Sequence, residues 1–293
     1  MKKKFLLVDG SIYLYKAYYS APFLKNSLKK PSGAIFIMIN MLKKLFIKYN
    51  PQYFLIVFDA GGKTFRHKLF FKYKSNRSSM PENLKKQIKP LYSILKSIGL
   101  PLISINGIEA DDIIGTLAIK AQNNNFDVFI NTDDKDMAQL VSKNINIISI
   151  NNNILFKSKD IKKKFGINPS LIIDYLSLVG DDSDNIPGVL GIGKKTAIYL
   201  LNTIGNIKNI YKFLDKNKKL NISKNKFIKK TLIKNKKIAF LSYKLAKIKT
   251  NISLKFNIEK FIIKKPNIKK IIFWCNYFEF NSWKNNIKKI LFI

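Results

Sequence analysis

The sequence predicts an α/β fold with a mostly parallel sheet and flanking helices, followed by a helical region. Short apolar runs of strand length alternate with helical patterns through the first half of the chain, which is typical of parallel β-α-β units. After about Leu171 the apolar pattern is helical throughout. We therefore expect an α/β domain at residues 1–168 and a helical domain at residues 169–293.

Five buried strands are predicted from short apolar runs bounded by polar residues or glycine. They cover residues 4–8, 53–58, 101–105, 127–131 and 145–150. Helices are predicted at 12–19 and 35–49 from their apolar periodicity. A further helix begins in the segment 107–116, with Glu109, Asp111 and Asp112 in its first turn. Glu109 and Asp112 are three residues apart and share a helical face, so Asp111 points elsewhere.

Composition indicates a polyanionic partner and excludes several kinds of chemistry. The 293 residues include 54 Lys and Arg against 18 Asp and Glu, a formal net charge of +36. Codon drift in an A/T-rich genome is an alternative source of this lysine excess, yet a field of this sign attracts nucleic acid in either case. One histidine and one cysteine argue against zinc clusters, disulfides and Cys/His catalysis.

Acidic residues gather at the predicted ends of strands. Because ligands bind at the carboxyl ends of parallel strands, these residues are expected to converge. Each taken alone could be a helix cap or a turn residue, but repulsion disfavours bringing them together without cations. Oxygen ligands of this kind favour Mg²⁺ or Mn²⁺. Eleven of the eighteen acids fall into five such groups: Asp9; Asp59; Glu109, Asp111 and Asp112; Asp133, Asp134 and Asp136; Asp181, Asp182 and Asp184.

Two further segments favour contact with nucleic acid. Residues 63–89 interleave lysines with Phe65, Phe70, Phe71 and Tyr73, which suits phosphates and bases; a solvated amphipathic helix is the alternative. Residues 186–197 resemble a helix-hairpin-helix, in which a Gly-x-Gly turn opens a helix towards a phosphate. A nucleotide-binding P-loop is excluded because Lys195 occupies the required Ser/Thr position and no strand precedes the turn.

Six motifs in order along the chain carry a resemblance to a known family. They are Val8-Asp9-Gly10-Ser11, Val57-Phe58-Asp59-Ala60, Gly107-Ile108-Glu109-Ala110-Asp111-Asp112, the run from Thr132 to Leu140, the run from Gly180 to Gly188, and Gly191-Ile192-Gly193. Over nearly its whole length, the chain resembles the 5′ nuclease domain of bacterial DNA polymerase I, within the flap endonuclease superfamily.

The resemblance implies a PIN-like catalytic sheet with a helical arch at about 63–90 and a helix-hairpin-helix at about 184–202. It implies metal binding by Asp9, Asp59, Glu109, Asp111 and Asp112 in one region and by Asp134, Asp136, Asp181 and Asp184 in another. Lys74 and Arg77 match the basic arch residues at the scissile phosphate, and Asp111 is expected to be essential for catalysis. The residues expected to contact DNA are Lys16, Tyr73, Lys74, Arg77, Gly188, Gly191, Ile192, Gly193, Lys194 and Lys195.

Three substitutions and one missing region depart from the family pattern. Asp133 stands where glycine is usual and Asp182 where a small polar residue is usual, so both are expected to add charge near the second metal region. Lys16 replaces a more usual arginine and loses its bidentate phosphate contact. The proofreading and polymerase domains are missing, and we expect a free-standing nuclease rather than a fragment.

The expected activity is 5′-3′ exonuclease and 5′ flap endonuclease cleavage of DNA, and of RNA primers annealed to DNA. Two or more Mg²⁺ ions, replaceable by Mn²⁺, are expected to activate water, with K⁺ at the hairpin. The protein is expected to be a bacterial cytoplasmic, nucleoid-associated monomer that cooperates with a DNA polymerase and a ligase, without a membrane partner. The alternatives are a PIN-type ribonuclease and a non-catalytic DNA-binding protein.

Overall fold

A six-stranded sheet forms the centre of the molecule. The computed structural model describes residues 2–216 and 225–292. The strands lie in the order β3-β2-β1-β4-β5-β6, and all neighbours are parallel except the β5–β6 pair. They are β1 (Lys4–Asp9), β2 (Tyr53–Val57), β3 (Leu102–Ile103), β4 (Asp127–Asn131), β5 (Ile145–Ile148) and β6 (Leu155–Phe156). The five predicted strands and their parallel arrangement are confirmed.

The sixth strand was not predicted. Leu155–Phe156 pairs antiparallel with Ile147 and Ile148 at the sheet edge. Residues 149–154 turn the chain back, with Asn153 in the left-handed conformation (φ 54°). Two residues are too few to give a periodic signal, so pairing with β5 rather than local pattern determines this strand.

Thirteen helices of the α type are formed by the described residues. The first five are α1 (Gly10–Ser20), α2 (Gly33–Tyr49), α3 (Phe65–Leu69), α4 (Glu82–Ile98) and α5 (Ala110–Asn123). The other eight are α6 (Ser158–Phe165), α7 (Ile172–Val179), α8 (Lys194–Thr203), α9 (Ile207–Asp215), α10 (Asn225–Lys234), α11 (Lys236–Ala246), α12 (Ile268–Phe278) and α13 (Asn281–Lys284). Residues 217–224 of the predicted helical domain lie outside the described part of the chain.

Each face of the sheet carries its own hydrophobic core. Alternate residues of β1 point to opposite faces: Leu6 and Val8 pack with α1, α2 and α4, whereas Phe5 and Leu7 pack with α5. The second core continues without a break into α7 to α11. The first core includes the buried Trp283 of α13. Residues far apart in sequence therefore pack on both sides of the sheet.

The glycine hairpin lies between α7 and α8. Gly180 and Gly188 cross so closely that a Cβ on Gly188 would lie 2.4 Å from the nitrogen of Gly180. Both have positive φ, 80° and 63°, which glycine adopts without strain. This crossing closes the loop that carries Asp181 to Asp184 and places these acids next to the hairpin.

No helix in the described ranges has the length and apolar character needed to cross a lipid bilayer.

Candidate active site

The carboxyl ends of three neighbouring strands meet at one edge of the sheet. In the strand register Asp9 pairs with Val57, and Val8 pairs with Asn131. The chain then leads from these strands directly into Gly10, Asp59 and Thr132. A cavity of about 380 Å³ at this edge is lined by Asp9, Asp59, Asp111 and Asp134, together with Tyr15, Lys16, Tyr19, Lys74 and Arg77. The structure thus brings together one acid from each of four of the five predicted groups.

Asp9, the last residue of β1, is held in place by two hydrogen bonds. Its Oδ1 accepts a hydrogen bond from the backbone N–H of Ile12 (3.1 Å), which caps α1, and its Oδ2 accepts one from Thr132 Oγ1 (3.0 Å). The side chain is almost wholly buried. Burial raises the pKa of Asp9 to about 7, against the effect of the Ile12 bond and with help from the charges of Asp59 and Asp134.

Asp59 and Asp111 complete the first acid group. Asp59 Oδ1 accepts a hydrogen bond from the backbone N–H of Ala110 (2.8 Å), which ties the end of β2 to the start of α5. Burial raises the pKa of Asp111 well above its ordinary value, and the charges of Asp134 and Asp9 raise it further. Asp111 thus faces other carboxylates, as expected from its position on α5.

The second acid group comes from the segment after β4 and the turn after α7. Asp134 Oδ1 accepts a hydrogen bond from the backbone N–H of Asp136 (2.8 Å). Asp181 Oδ1 accepts hydrogen bonds from Lys135 Nζ (2.7 Å) and from Ser183 Oγ (2.8 Å). Asp184 contacts Tyr73 and Arg77. All four predicted acids, Asp134, Asp136, Asp181 and Asp184, therefore lie in one group.

Asp136 is the least satisfied member of this group. Its side chain is 7% exposed, and its Oδ1 is buried with no hydrogen-bond donor among the described residues. Burial raises the pKa of Asp136 well above its ordinary value, and Asp134 and Asp181 add to the effect. A buried acceptor without a partner is costly, and a bound cation would relieve both the missing contact and the repulsion.

The donor set fits a hard divalent cation, although the ligands are not gathered around one point. The buried atoms are carboxylate oxygens, which Mg²⁺ and Mn²⁺ prefer. Within residues 2–216 and 225–292, no three acidic, histidine or cysteine side chains lie close enough to hold one ion. Lys74 lies between the two acid groups instead, 2.6 Å from Glu109 Oε2 and 3.6 Å from Asp184 Oδ2.

Glu109 has four side-chain partners among the described residues. Lys74 Nζ and Thr64 Oγ1 (2.8 Å) donate hydrogen bonds to it, the Tyr73 hydroxyl lies 3.1 Å from its Oε2, and Arg66 lies 3.2 Å from its Oε1. Burial alone would raise the pKa of Glu109, but the positive charges of Lys74 and Arg66 outweigh burial and lower the pKa to about 2. Glu109 is therefore held as a carboxylate at neutral pH.

Asp112 does not join the acids at the sheet edge, which corrects its predicted role as a metal ligand. Arg66 Nη1 and Nη2 donate to its two oxygens at 2.8 and 2.7 Å, and the backbone N–H of Lys249 donates to Oδ1 at 2.8 Å. All these groups are buried or half-buried. Glu109 precedes α5 as its N-cap, with extended backbone, rather than lying within the first turn as predicted. Both Glu109 and Asp112 nevertheless contact Arg66, and Asp112 forms a buried ion pair with it.

Tyr73 is turned inward, which contradicts the expectation that it contacts DNA. Tyr73 is 3% exposed, and its ring lies in the core beside α5. Its hydroxyl lies 2.9 Å from Asp184 Oδ2. The sequence pattern indicated a basic, aromatic segment but not which aromatic ring turns inward. The exposed ring of this segment is Phe71, which is 79% exposed.

The two unusual acids point away from the second acid group. Asp133 Oδ1 accepts hydrogen bonds from Ser149 Oγ (2.7 Å) and the backbone N–H of Ile150 (2.9 Å), and its Oδ2 pairs with Lys16 at 3.2 Å. Asp182 is exposed. The charge of Asp133 is therefore offset by Lys16, and Asp182 is open to solvent. Lys16, predicted to contact DNA, is paired with Asp133 here.

Family models match almost the entire chain. The model described as "5'-3' exonuclease, N-terminal resolvase-like domain" matches residues 4–166, and the model described as "5'-3' exonuclease, C-terminal SAM fold" matches residues 167–269. The chain belongs to the 5′-3′ exonuclease family.

Relatives in this family are similar over the same length. The 5'-3' exonuclease of Buchnera aphidicola subsp. Baizongia pistaciae is 46% identical over 99% of this chain and 96% of its own length. That of Aquifex aeolicus is 38% identical over 98% and 96%. DNA polymerase I of Pseudomonas aeruginosa is 44% identical over 96% of this chain, which covers 31% of that protein. The resemblance to the nuclease part of DNA polymerase I is confirmed.

Solved structures share the fold. T5 5'-exonuclease with bound zinc has a TM-score of 0.71 at 20% identity, with 85% of this chain and 90% of that chain covered. The catalytic core of Rad2 in complex with DNA substrate (complex III) has a TM-score of 0.65 at 21% identity, covering 98% and 92%. The predicted fold class, a mostly parallel α/β sheet followed by helices, is confirmed.

The hairpin of this 5′-3′ exonuclease family member presents backbone and lysines to solvent. Leu190 is 88% exposed at the tip, whereas Ile192 is 3% exposed and anchors the turn. Gly193 caps α8, and space around its α-carbon is open. Lys194 and Lys195 are exposed in the first turn of α8. The α-helices on either side of this turn are α7 and α8.

Sequence patterns did not identify three residues that position the acids. Arg66 binds Asp112, Thr64 donates to Glu109, and Thr132 donates to Asp9. One signal was available for the first of them. Arg66 and Arg77 are the only arginines in the sequence, and both donate to carboxylates of the acid groups. Arginine forms planar two-point contacts that lysine cannot replace. The two threonines gave no comparable signal, because their role depends on distant parts of the chain.

Proposed function

We propose that the protein is a divalent-metal-dependent 5′-3′ exonuclease and 5′ flap endonuclease that acts on DNA and on RNA primers annealed to DNA. The observation that carries this proposal is the acid edge, the set of carboxylates at the carboxyl ends of the strands (Asp9, Asp59, Asp111 and Asp134). Carboxylates with raised pKa values face one another in a strongly basic protein, among them the buried Asp9 and the half-buried Asp111. Such an arrangement is costly without cations. Membership of the 5′-3′ exonuclease family supports the direction of cleavage.

Two groups of residues would hold the metal ions. The first comprises Asp9, Asp59, Glu109 and Asp111, and the second comprises Asp134, Asp136, Asp181 and Asp184. Asp112 is not included, because both of its carboxylate oxygens accept hydrogen bonds from Arg66. Bound Mg²⁺ or Mn²⁺ would supply an activated water and stabilise charge on the leaving oxygen. A T5 flap endonuclease has been solved in a complex with DNA and metal ions, which supports this assignment.

Lys74 and Arg77 would act on the substrate phosphate, as parts of an arch at about 63–90. Both side chains line the acid cavity, and both now neutralise carboxylates, Glu109 and Asp184 respectively. With metal ions bound by the acids, the Lys74 ammonium and the Arg77 guanidinium would be free to offset charge on the phosphoryl oxygens. The reaction would leave a 5′-phosphate and a 3′-hydroxyl.

The hairpin would hold the duplex beside the cleavage site. Its exposed glycine backbone and the side chains of Lys194 and Lys195 suit phosphate contacts, which carry no base information. A K⁺ ion bound at the hairpin is part of this proposal. Because the Gly180–Gly188 crossing joins the hairpin to Asp181 and Asp184, the bound duplex would be placed at a fixed position relative to the second acid group.

In the cell, we propose a bacterial, cytoplasmic and nucleoid-associated enzyme that works as a monomer with a DNA polymerase and a ligase. Removal of RNA primers and displaced flaps is the step that such a nuclease would perform between synthesis and ligation. DNA with 5′ flaps, nicks or primers is the proposed partner. Rad2 has been solved in complex with DNA substrate, which supports a DNA partner.

The test is cleavage of a 5′-labelled flap substrate with Mg²⁺ and with EDTA, with product lengths read on a gel. We expect cleavage near the junction with Mg²⁺ and none with EDTA. Preferential cutting of unstructured RNA of the same length would favour the alternative ribonuclease. Binding of the flap without cleavage, at every Mg²⁺ concentration, would favour a non-catalytic DNA-binding protein.

A further inference from the structure

A second cavity, of about 630 Å³, lies on the helical side of the molecule. Its walls come from α3, the start of α9, α11 and the segment 247–251 that follows α11. None of the acids of the proposed metal site lines it. The volume is in the range of small-molecule and nucleotide sites.

Aromatic rings form much of the cavity wall. Phe240 and Tyr243 are three residues apart on α11 and therefore share a face, and Phe65 of α3 also lines the cavity. All three rings are half-buried. Partly open rings on a fixed helix offer flat apolar surfaces on which a planar group can stack.

Four lysines surround these rings. Lys208, Lys244, Lys247 and Lys249 line the cavity, and none of the described residues that line it is acidic. Lys249 Nζ lies 3.6 Å from the centre of the Phe65 ring. Positive charge with interspersed rings suits a chain of phosphates with free bases, which is single-stranded nucleic acid. Bases in a duplex are stacked on one another and cannot use these rings.

The cavity shares a wall with the acid site. Phe65 lies between Thr64 and Arg66, which hold Glu109 and Asp112. The backbone N–H of Lys249 donates to Asp112 Oδ1, while its side chain faces the cavity. A strand bound in the cavity would therefore lie against the short helix that positions Glu109.

We propose that this cavity binds a short segment of single-stranded nucleic acid through base stacking on Phe240 and Tyr243 and phosphate contacts with the four lysines. That the segment is the 5′ single strand of the substrate rests on the proposed function. The binding itself does not, because it requires neither metal nor cleavage.

The test is fluorescence anisotropy in EDTA with a labelled oligothymidylate of about six nucleotides and with a base-free strand of equal charge. We expect the wild-type protein to bind the thymidylate about tenfold more tightly than the base-free strand. Phe240→Leu should remove this preference while keeping an apolar side chain. Equal binding of the two strands by the wild-type protein would overturn the proposal.

A matched pair of variants separates the cavity from the general positive field. Lys244→Gln/Lys247→Gln removes two charges at the cavity, and Lys162→Gln/Lys163→Gln removes two exposed charges on α6, outside it. The cavity pair should weaken thymidylate binding about tenfold more than the α6 pair. Equal weakening by the two pairs would show that only net charge matters and would contradict the proposal. Flap cleavage in Mg²⁺ is a separate measurement, so either result leaves the test of the proposed function intact.

Discussion

The ammonium nitrogen of Lys74 lies 2.6 Å from Glu109 Oε2 and 3.6 Å from Asp184 Oδ2. One lysine thus bridges an acid at the start of α5 and an acid of the turn after α7. Its side chain is only 17% exposed, so these contacts are poorly screened by water. Lys74 therefore acts as a counter-ion to both carboxylates.

Replacing Lys74 by methionine keeps the side-chain length and removes the charge. We expect the metal-free variant to lose about 2–3 kcal/mol of unfolding free energy, because buried carboxylates lose their partner. Addition of Mg²⁺ should stabilise it more than it stabilises the wild-type protein. Single-turnover flap cleavage should slow by about 100-fold.

Lys85→Met is the control for Lys74→Met. Lys85 pairs with Glu82 at the surface, and both side chains are at least half exposed. Such exposed pairs contribute little to stability, so this variant should unfold close to the wild-type midpoint. A metal-free Lys74→Met protein that is as stable as Lys85→Met would contradict the counter-ion role.

The stability of the metal-free protein should fall as pH rises from about 4 to about 7. The pKa of Asp9 is raised to about 7 in the folded state, against about 3.9 in an unfolded chain. Because the folded protein holds this proton more tightly, protonation favours folding, and the benefit is lost as pH rises through the folded pKa. Glu109, with its pKa lowered to about 2, contributes in the opposite direction but only below this window.

Thermal unfolding in EDTA between pH 4 and 7 measures this effect. Mg²⁺ should reduce the slope, because a bound cation favours the ionised carboxylates. A melting temperature that rises across this range in EDTA would mean that burial and the neighbouring acids do not raise the pKa of Asp9 in the folded protein.

Arg66→Lys should destabilise the fold by about 3 kcal/mol. Arg66 is 2% exposed, donates to both oxygens of Asp112, and also donates to the carbonyls of Leu245 and Lys247. Lysine cannot reproduce this planar set of contacts, and a buried carboxylate left without its partner is costly. Urea unfolding measures the loss. Arg77→Lys is the matched control, since Arg77 is half exposed and should lose less than about 1 kcal/mol.

The strand-end acids show what local pattern can predict. Asp9, Asp59 and Asp134 follow buried parallel strands, so their convergence follows from the general geometry of such sheets. The different directions of Asp111 and Asp112, which are neighbours on α5, followed from helical spacing. These relationships depend on few residues that are close in sequence, and the sequence predicted them correctly.

The partners of these acids depend on contacts that are distant in sequence. Asp112 is paired with Arg66 and with the backbone of Lys249, Asp133 with Ser149, and Tyr73 with Asp184. No spacing rule relates such positions, because each contact forms only when separate elements pack together. The incorrect expectations for Asp112 and Tyr73 have this common cause.

Lys194→Gln/Lys195→Gln should weaken binding to a DNA duplex and reduce its salt dependence. Each phosphate contact contributes about one unit to the slope of log K against log salt concentration, so the slope should fall by about two. Titrations at several salt concentrations in EDTA measure it. Lys269→Gln/Lys270→Gln on α12 removes two exposed lysines elsewhere, and the same change of slope in that variant would mean that the hairpin has no special role.

Two adjacent residues provide the most direct test of the metal-dependent acid site. Single-turnover flap cleavage in Mg²⁺ and urea unfolding in EDTA would be measured for Asp111→Asn and Asp112→Asn. We predict that Asp111→Asn loses about 1000-fold in cleavage and is at least as stable as the wild-type protein. Asp112→Asn should retain cleavage when folded and lose about 3 kcal/mol of stability. Wild-type cleavage rates for Asp111→Asn would contradict the account.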